Sequence, residues 1–182
     1  MKRIALLIVM SIAVPGAYAA APAPSAYAGQ ESRDVKSLSA ADVADLQAGK
    51  GMGLAKAAEL NGYPGPAHVL ELASELKLSE PQRAATQRLF AAMQARAIEL
   101  GRELLTAERK LDSSFANRSI TNESLASTLR QIGELQAELR GAHLEAHLAQ
   151  IQILTPDQVA AYTRLRGYGA SKGSGGHTHG GH

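Results

Sequence analysis

The chain has no cysteine and no tryptophan, and only two of its 182 residues are phenylalanine. Without cysteine there are no disulfide staples, no thiol chemistry and no thiolate metal ligands. With aromatic residues at 4% of the chain, any core is built from Leu, Ile, Ala and Met. A charge surplus is missing too. Of the 19 basic residues two, Lys2 and Arg3, sit at the extreme N-terminus, where none of the 17 acids lies. From residue 4 onward the chain is therefore balanced, with histidine neutral. Nucleic-acid binding needs a basic surplus, so that class of partner is excluded. No catalytic constellation appears either. Gly49-Lys50-Gly51-Met52-Gly53 lacks the Gly-Lys-Ser/Thr ending and the preceding strand of a phosphate loop. Gly169-Ala170-Ser171-Lys172-Gly173 has nucleophile-elbow spelling but no strand before it. The glycosylation spellings at Asn117 and Asn122 are too short to carry an argument by themselves. The expectation is a protein that is not an enzyme.

Only one long apolar run is present, Ile4 to Val14, directly after Lys2 and Arg3. It is followed by Pro15-Gly16 and by Ala17-Tyr18-Ala19, a small-x-small cleavage site. The run is shorter than the ~20 residues that span a bilayer. Residues 1–19 thus read as a cleaved signal peptide and the protein as exported, with no stable membrane span afterwards. A second such site, Ala26-Tyr27-Ala28, leaves Ala20 or Gly29 as the mature start. Residues 20–38, Ala/Pro/Ser-rich and then polar, read as a disordered leader.

What fills the rest is helical pattern, framed by two similar boxes. Leu78-Ser79-Glu80-Pro81-Gln82 and Leu154-Thr155-Pro156-Asp157-Gln158 each read as a helix start. Ser79 and Thr155 are N-caps, and Gln82 and Gln158 stand three residues on, where a capping-box side chain reaches back to the cap's N–H. Each box has a proline in the first turn and an acid at the positive end of the helix dipole. Val159 can staple to Leu154, whereas the first box has Arg83 at that place. From Glu80 to about Phe115, Leu89, Met93, Ala97, Leu100, Leu104, Leu111 and Phe115 share one helical stripe, over ~54 Å at 1.5 Å per residue. Asn117-Arg118-Ser119 breaks it. Thr121 then caps a second helix to about Ile153, with Leu125, Leu129, Ile132 and Leu139 on its stripe. The short connection predicts an all-α, antiparallel helical hairpin. Short helices are predicted at Ala40–Ala48, capped by Ser39, at about His68–Leu76, and from the second box to about Gly167. Arg96, Arg102, Glu103, Arg130 and Glu134 read as solvated faces. Two stripes cannot both be closed by one hairpin, so flanking helices or a second copy must cover them, and a homodimer is expected.

His143 and His147 are spaced i, i+4, on the stripe that Leu125 to Leu139 occupy. If the hairpin turns near residues 117–120, they lie opposite Phe90 to Gln94. Two readings stand side by side. Either they are hydrogen-bonded core histidines, or they are a pair of imidazoles within reach of one metal ion. This is not a zinc-protease motif, since the glutamate between them projects from the other side. Residues 169–182 read as a disordered His/Gly-rich tail. There His177, His179 and His182 form a tract that binds transition metals readily, or else a solubilising end with incidental affinity.

The paired Leu-Ser/Thr-x-x-Gln boxes around a long hairpin, behind an export signal, resemble the Spy/CpxP family of periplasmic proteins, which includes metal-linked members such as ZraP and CnrX. The likeness covers residues 65–168 and is carried most specifically by Ile153-Leu154-Thr155-Pro156-Asp157-Gln158. The first box departs from the common form in Ser79 and in the place of Pro81. The resemblance implies a cradle-shaped antiparallel dimer. It implies an ATP-independent chaperone or envelope-stress adaptor, whose partners are unfolded or misfolded periplasmic proteins or a membrane-bound signalling protein. It also implies an alternative, a sensor or buffer of Zn, Ni, Cu or Co. CnrX-like members are similar in using a His-x-x-x-Met pair on the corresponding helix, where this chain has His143 and His147. On that reading His68, Glu71 and Met52 are the candidates for further ligands.

Overall fold

The computed structural model describes residues 24–168. The expected signal peptide (1–19) and the tail histidines His177, His179 and His182 lie outside them. The described residues divide into two units after Glu31. In the first, residues 26–29 form a turn. All that follows concerns the second.

That unit is all-helical over the described residues, in the order α1 (Ala40–Gln47), α2 (Lys56–Glu59), α3 (Pro66–Glu71), α4 (Glu80–Ala116), α5 (Asn122–Ile153) and α6 (Pro156–Leu165). The hairpin of α4 and α5, of 37 and 32 residues, dominates it. Both helices start where capping chemistry starts them. Ser79 accepts from Gln82 N–H while its own N–H donates to Gln82 Oε1 at 3.1 Å. Thr121 makes the same exchange with Ser124. Helix α6 repeats it with Thr155 and Gln158. At the far end of α4, Arg118 takes a left-handed φ of 54°, and Ser119 N–H bonds back to Ser114 C=O. That closes the helix without a glycine.

Two apolar cores hold the unit together. One lies along the hairpin, with Leu100, Leu104 and Leu105 of α4 against Ile132, Leu135 and Leu139 of α5 and Leu46 of α1. The other gathers Val69, Ala73, Leu76, Leu78, Leu154 and Tyr162, so the leucines that open both boxes are buried together. Helix α1 comes so close to α4 that a β-carbon on Gly101 would stand 2.5 Å from Leu46 C=O. Only glycine fits there.

Several expectations need correction. Residues 32–38 are not a free leader. Val35 is buried in the hairpin core, Asp34 pairs with Arg109, and Lys36 N–H donates to Asp112 at 2.7 Å. This cover gives α4 a second buried face, which is why Leu105 and Ala107 are buried off the single stripe. That stripe is not covered throughout. Phe115 and Leu129, near the hairpin turn, are 55% and 50% exposed. The helix expected over His68–Leu76 ends at Glu71 and gives way to turns, closed by Lys77 at a φ of 49°. The short helix α2 is not among the expected helices.

Candidate functional site

His143 and His147 sit one turn apart on α5 and face the segment that runs from α1 to α3. A cleft of about 570 Å³ opens between that segment, α4 and α5. Phe90, Met93 and Gln94 of α4 form its opposite wall, where the hairpin geometry put them. The segment brings in Met52, His68 and Glu71, so all five candidate ligands among the described residues line one cavity.

Glycines let the backbone close on the two rings. A β-carbon on Gly65 would lie 2.8 Å from His147 Cε1 and 2.9 Å from its Nε2. Gly51 stands over the Cε1–Nδ1 edge of His143, 3.9 Å from where its β-carbon would be. Between these glycines the chain turns through Met52, whose φ of 45° is unusual for a residue with a side chain.

The two imidazoles differ in their bonding. His147 is 8% exposed, and its Nδ1 lies 2.7 Å from Tyr63 C=O. A carbonyl only accepts, so Nδ1 carries a proton, and the tautomer this selects has its lone pair on Nε2. A ring held this way by a carbonyl is oriented as metal-binding histidines are. His143, at 4% exposed, has a buried Nε2 with no hydrogen-bond partner. Burial, and then the neighbouring His147, lower its pKa from the ordinary 6.5, so it is neutral at pH 7. His147 is thus hydrogen-bonded, whereas His143 Nε2 is buried without a partner.

A residue that sequence reasoning passed over completes the back wall. Glu59, at the end of α2, accepts from Tyr162 and Tyr168 through Oε1 and lies 3.4 Å from Arg166 Nε. Its Oε2 is buried without a hydrogen-bond partner, 3.8 Å from His147 Nδ1. Burial and the Glu59 acceptor raise the Tyr162 pKa far above its usual value, so the phenol stays protonated and donates. Nothing local marked Glu59, since its tyrosine partners are 103 and 109 residues away.

The donors share the cleft without forming a finished site. Among the described residues no three His, Asp or Glu side chains are grouped to hold an ion as they stand. His68 spends its Nδ1 on Glu71 at 2.9 Å, one turn away on the same helix. Two imidazoles, a thioether and a carboxylate with a free oxygen suit a borderline or soft transition metal better than Mg²⁺ or Ca²⁺.

The box residues do structural work just beyond His147, at the C-terminal end of α5, where Gln82 Nε2 donates to Ile153 C=O. Gln82 and Gln158 bond to each other as well as to their own caps. Arg96 links the hairpin helices through Glu138 at 2.7 Å. Arg102, Glu103, Arg130 and Glu134 are exposed. Neither a scan against protein-family models nor searches of curated proteins and of solved structures find a match for this chain.

Proposed function

We propose that this chain is an exported, non-enzymatic helical-hairpin protein of Spy/CpxP type that takes up a transition-metal ion, Zn, Ni, Cu or Co, in the cleft between its N-terminal segment and α5. The observation that carries this is the convergence of His143 and His147 with Met52, Glu59, His68 and Glu71 on one cavity. An imidazole buried with an unpartnered nitrogen is costly unless a ligand satisfies it. Binding there would tie α5 to the segment packed on it, and so make hairpin geometry depend on metal. Calorimetric titration of the exported chain with each of the four ions tests the reading. One tight site per chain is expected, lost in His143→Ala. Equal binding by the wild type and that variant would refute it.

A second reading keeps the same fold and needs no metal. In it the protein holds unfolded or misfolded periplasmic chains without ATP, or contacts a membrane-bound signalling partner. It is favoured by Phe115 and Leu129, large apolar side chains left exposed near the hairpin turn. The same side chains support a homodimer, since a second copy would cover them. Suppression of client aggregation at stoichiometric ratio without metal would establish this reading. Light scattering at micromolar concentration tests the dimer, and a monomer of unchanged helicity would exclude it. Among the described residues no helix is long and apolar enough to cross a membrane.

A further inference from the structure

Residues 32–38 lie on α4 as a bound peptide would. Val35 is 1% exposed in the hairpin core, and Leu38 packs against the same core. Around this apolar anchor α4 supplies polar side chains at helical spacing. Arg109 donates to Asp34 through Nε at 2.9 Å and Nη2 at 2.7 Å. Asp112 accepts from Lys36 N–H at 2.7 Å, and Glu108 accepts from the Ser37 hydroxyl at 2.9 Å. Glu108 and Arg109 stand four and three residues before Asp112, so the three share one face. What that face recognises is simple: an acid, a branched apolar side chain, a backbone N–H and a hydroxyl.

Two features make this strap detachable. Its ion pair is at the surface, with the Asp34 and Arg109 side chains 65% and 41% exposed, and such pairs hold little. Helix α1 does not depend on the strap, because Ser39 and Asp42 cap it reciprocally and Leu46 closes on Gly101. Release therefore needs rotation only at Leu38 and Ser39. Nor does the face end with the strap. Phe115, 55% exposed, lies one turn beyond Asp112 on the side of α4 that carries Glu108.

We propose that this face of α4 is a docking site for a segment of unfolded polypeptide, an acidic residue followed by a branched apolar one, and that residues 32–38 are its resident competitor. The inference rests on the client-holding reading above. Asp34 and Val35, already seated there, show the charge and shape that fit. The bond from Lys36 N–H to Asp112 shows why the occupant is unfolded: such a chain offers free backbone N–H groups, whereas a folded protein has paired most of its own. A strap that is open for about 1–10% of the time lowers the affinity for an outside segment by about a hundredfold to tenfold. The apolar seat of Val35 is thus kept covered until a client competes for it.

The test uses a fluorescent peptide of residues Gly29–Ser39 and follows its anisotropy with three forms of the exported chain. They are the wild type, Val35→Asp, which expels the anchor, and Lys36→Pro, which removes the N–H that Asp112 accepts. Both variants should bind the peptide about tenfold to a hundredfold more tightly than the wild type. Reduced, carboxymethylated α-lactalbumin, a permanently unfolded chain, should displace it, and a peptide carrying Val35→Asp should not bind. Should circular dichroism show Val35→Asp unfolded, the exposed Lys36→Pro change decides alone. Equal affinity in all forms, or no displacement by the unfolded chain, overturns the proposal. So does a strap variant that turns dimeric by light scattering and binds neither probe, since the face then takes a second copy. Suppression of client aggregation by the wild type, measured alongside, judges the client-holding reading separately. If it persists while the peptide result fails, only the docking face is lost.

Discussion

Gln82 and Gln158 clasp each other by their side-chain amides. Gln82 Nε2 donates to Gln158 Oε1 at 2.8 Å, and Gln158 Nε2 donates back to Gln82 Oε1 at 3.1 Å. Each also completes the capping box of its own helix. The remaining amide hydrogens go across the fold, from Gln82 to Ile153 C=O and from Gln158 to Leu76 C=O. Two local helix-start signals are thereby one tertiary joint, which fixes the N-termini of α4 and α6 over the core that holds Leu78 and Leu154.

Replacing either glutamine by alanine should therefore cost more than a lost cap. The part-buried partner amide and the carbonyl left behind have no substitute, and a loss of about 1–3 kcal/mol is expected. The double variant should lose clearly less than the sum, because the first change already breaks the joint. Urea unfolding of the three variants checks this. Strict additivity would show that the boxes act separately.

Two glycines within the long helices should respond in opposite directions. Gly133 of α5 has open space where a β-carbon would go, so Gly133→Ala should stabilise by about 0.5–1 kcal/mol. At Gly101 the same change drives a methyl into Leu46 C=O and should destabilise by about 1–3 kcal/mol as α1 is pushed away. Thermal unfolding read by circular dichroism distinguishes the two. Equal signs would mean that α1 does not pack on α4 as described.

Stability should fall as the solution is made mildly acidic. Burial lowers the pKa of His143 below its ordinary 6.5, so the unfolded chain takes up the proton first. The contribution is fully present above pH 6.5 and is lost as pH drops through the folded-state value. Asp34 and Asp42, whose pKa values are lowered by their hydrogen bonds to Arg109 and Ser39, act only below about their ordinary 3.8. Unfolding free energies measured between pH 7.5 and 5 should slope downward with acid. The slope should flatten in His143→Gln. An unchanged slope would assign the titration to another group.

Much of this fold is readable from sequence because its signals are local. The caps Ser39, Ser79, Thr121 and Thr155 and the helices they open depend on residues three apart, and the hairpin follows from one break at Asn117-Arg118-Ser119. The place of His143 and His147 opposite Phe90–Gln94 follows from counting along both arms. What was hidden depends on partners far away in the chain. Residues 32–38 look polar and free, yet Val35 finds the hairpin core. Glu59 carries no local motif, and its role comes from Tyr162, Arg166 and Tyr168. Exposure of Phe115 and Leu129 was equally hidden, because helical periodicity marks an apolar face without saying how much of it is covered.

The central claim is that a transition ion is held in the cleft by His143 and His147. Anomalous diffraction from crystals of the exported chain grown with Co²⁺, recorded on both sides of the cobalt edge, tests it most directly. A single strong peak per chain, bonded to both imidazoles at about 2.0–2.1 Å, is the result predicted here. A cleft without anomalous density, with cobalt only at surface histidines or nowhere, would contradict it.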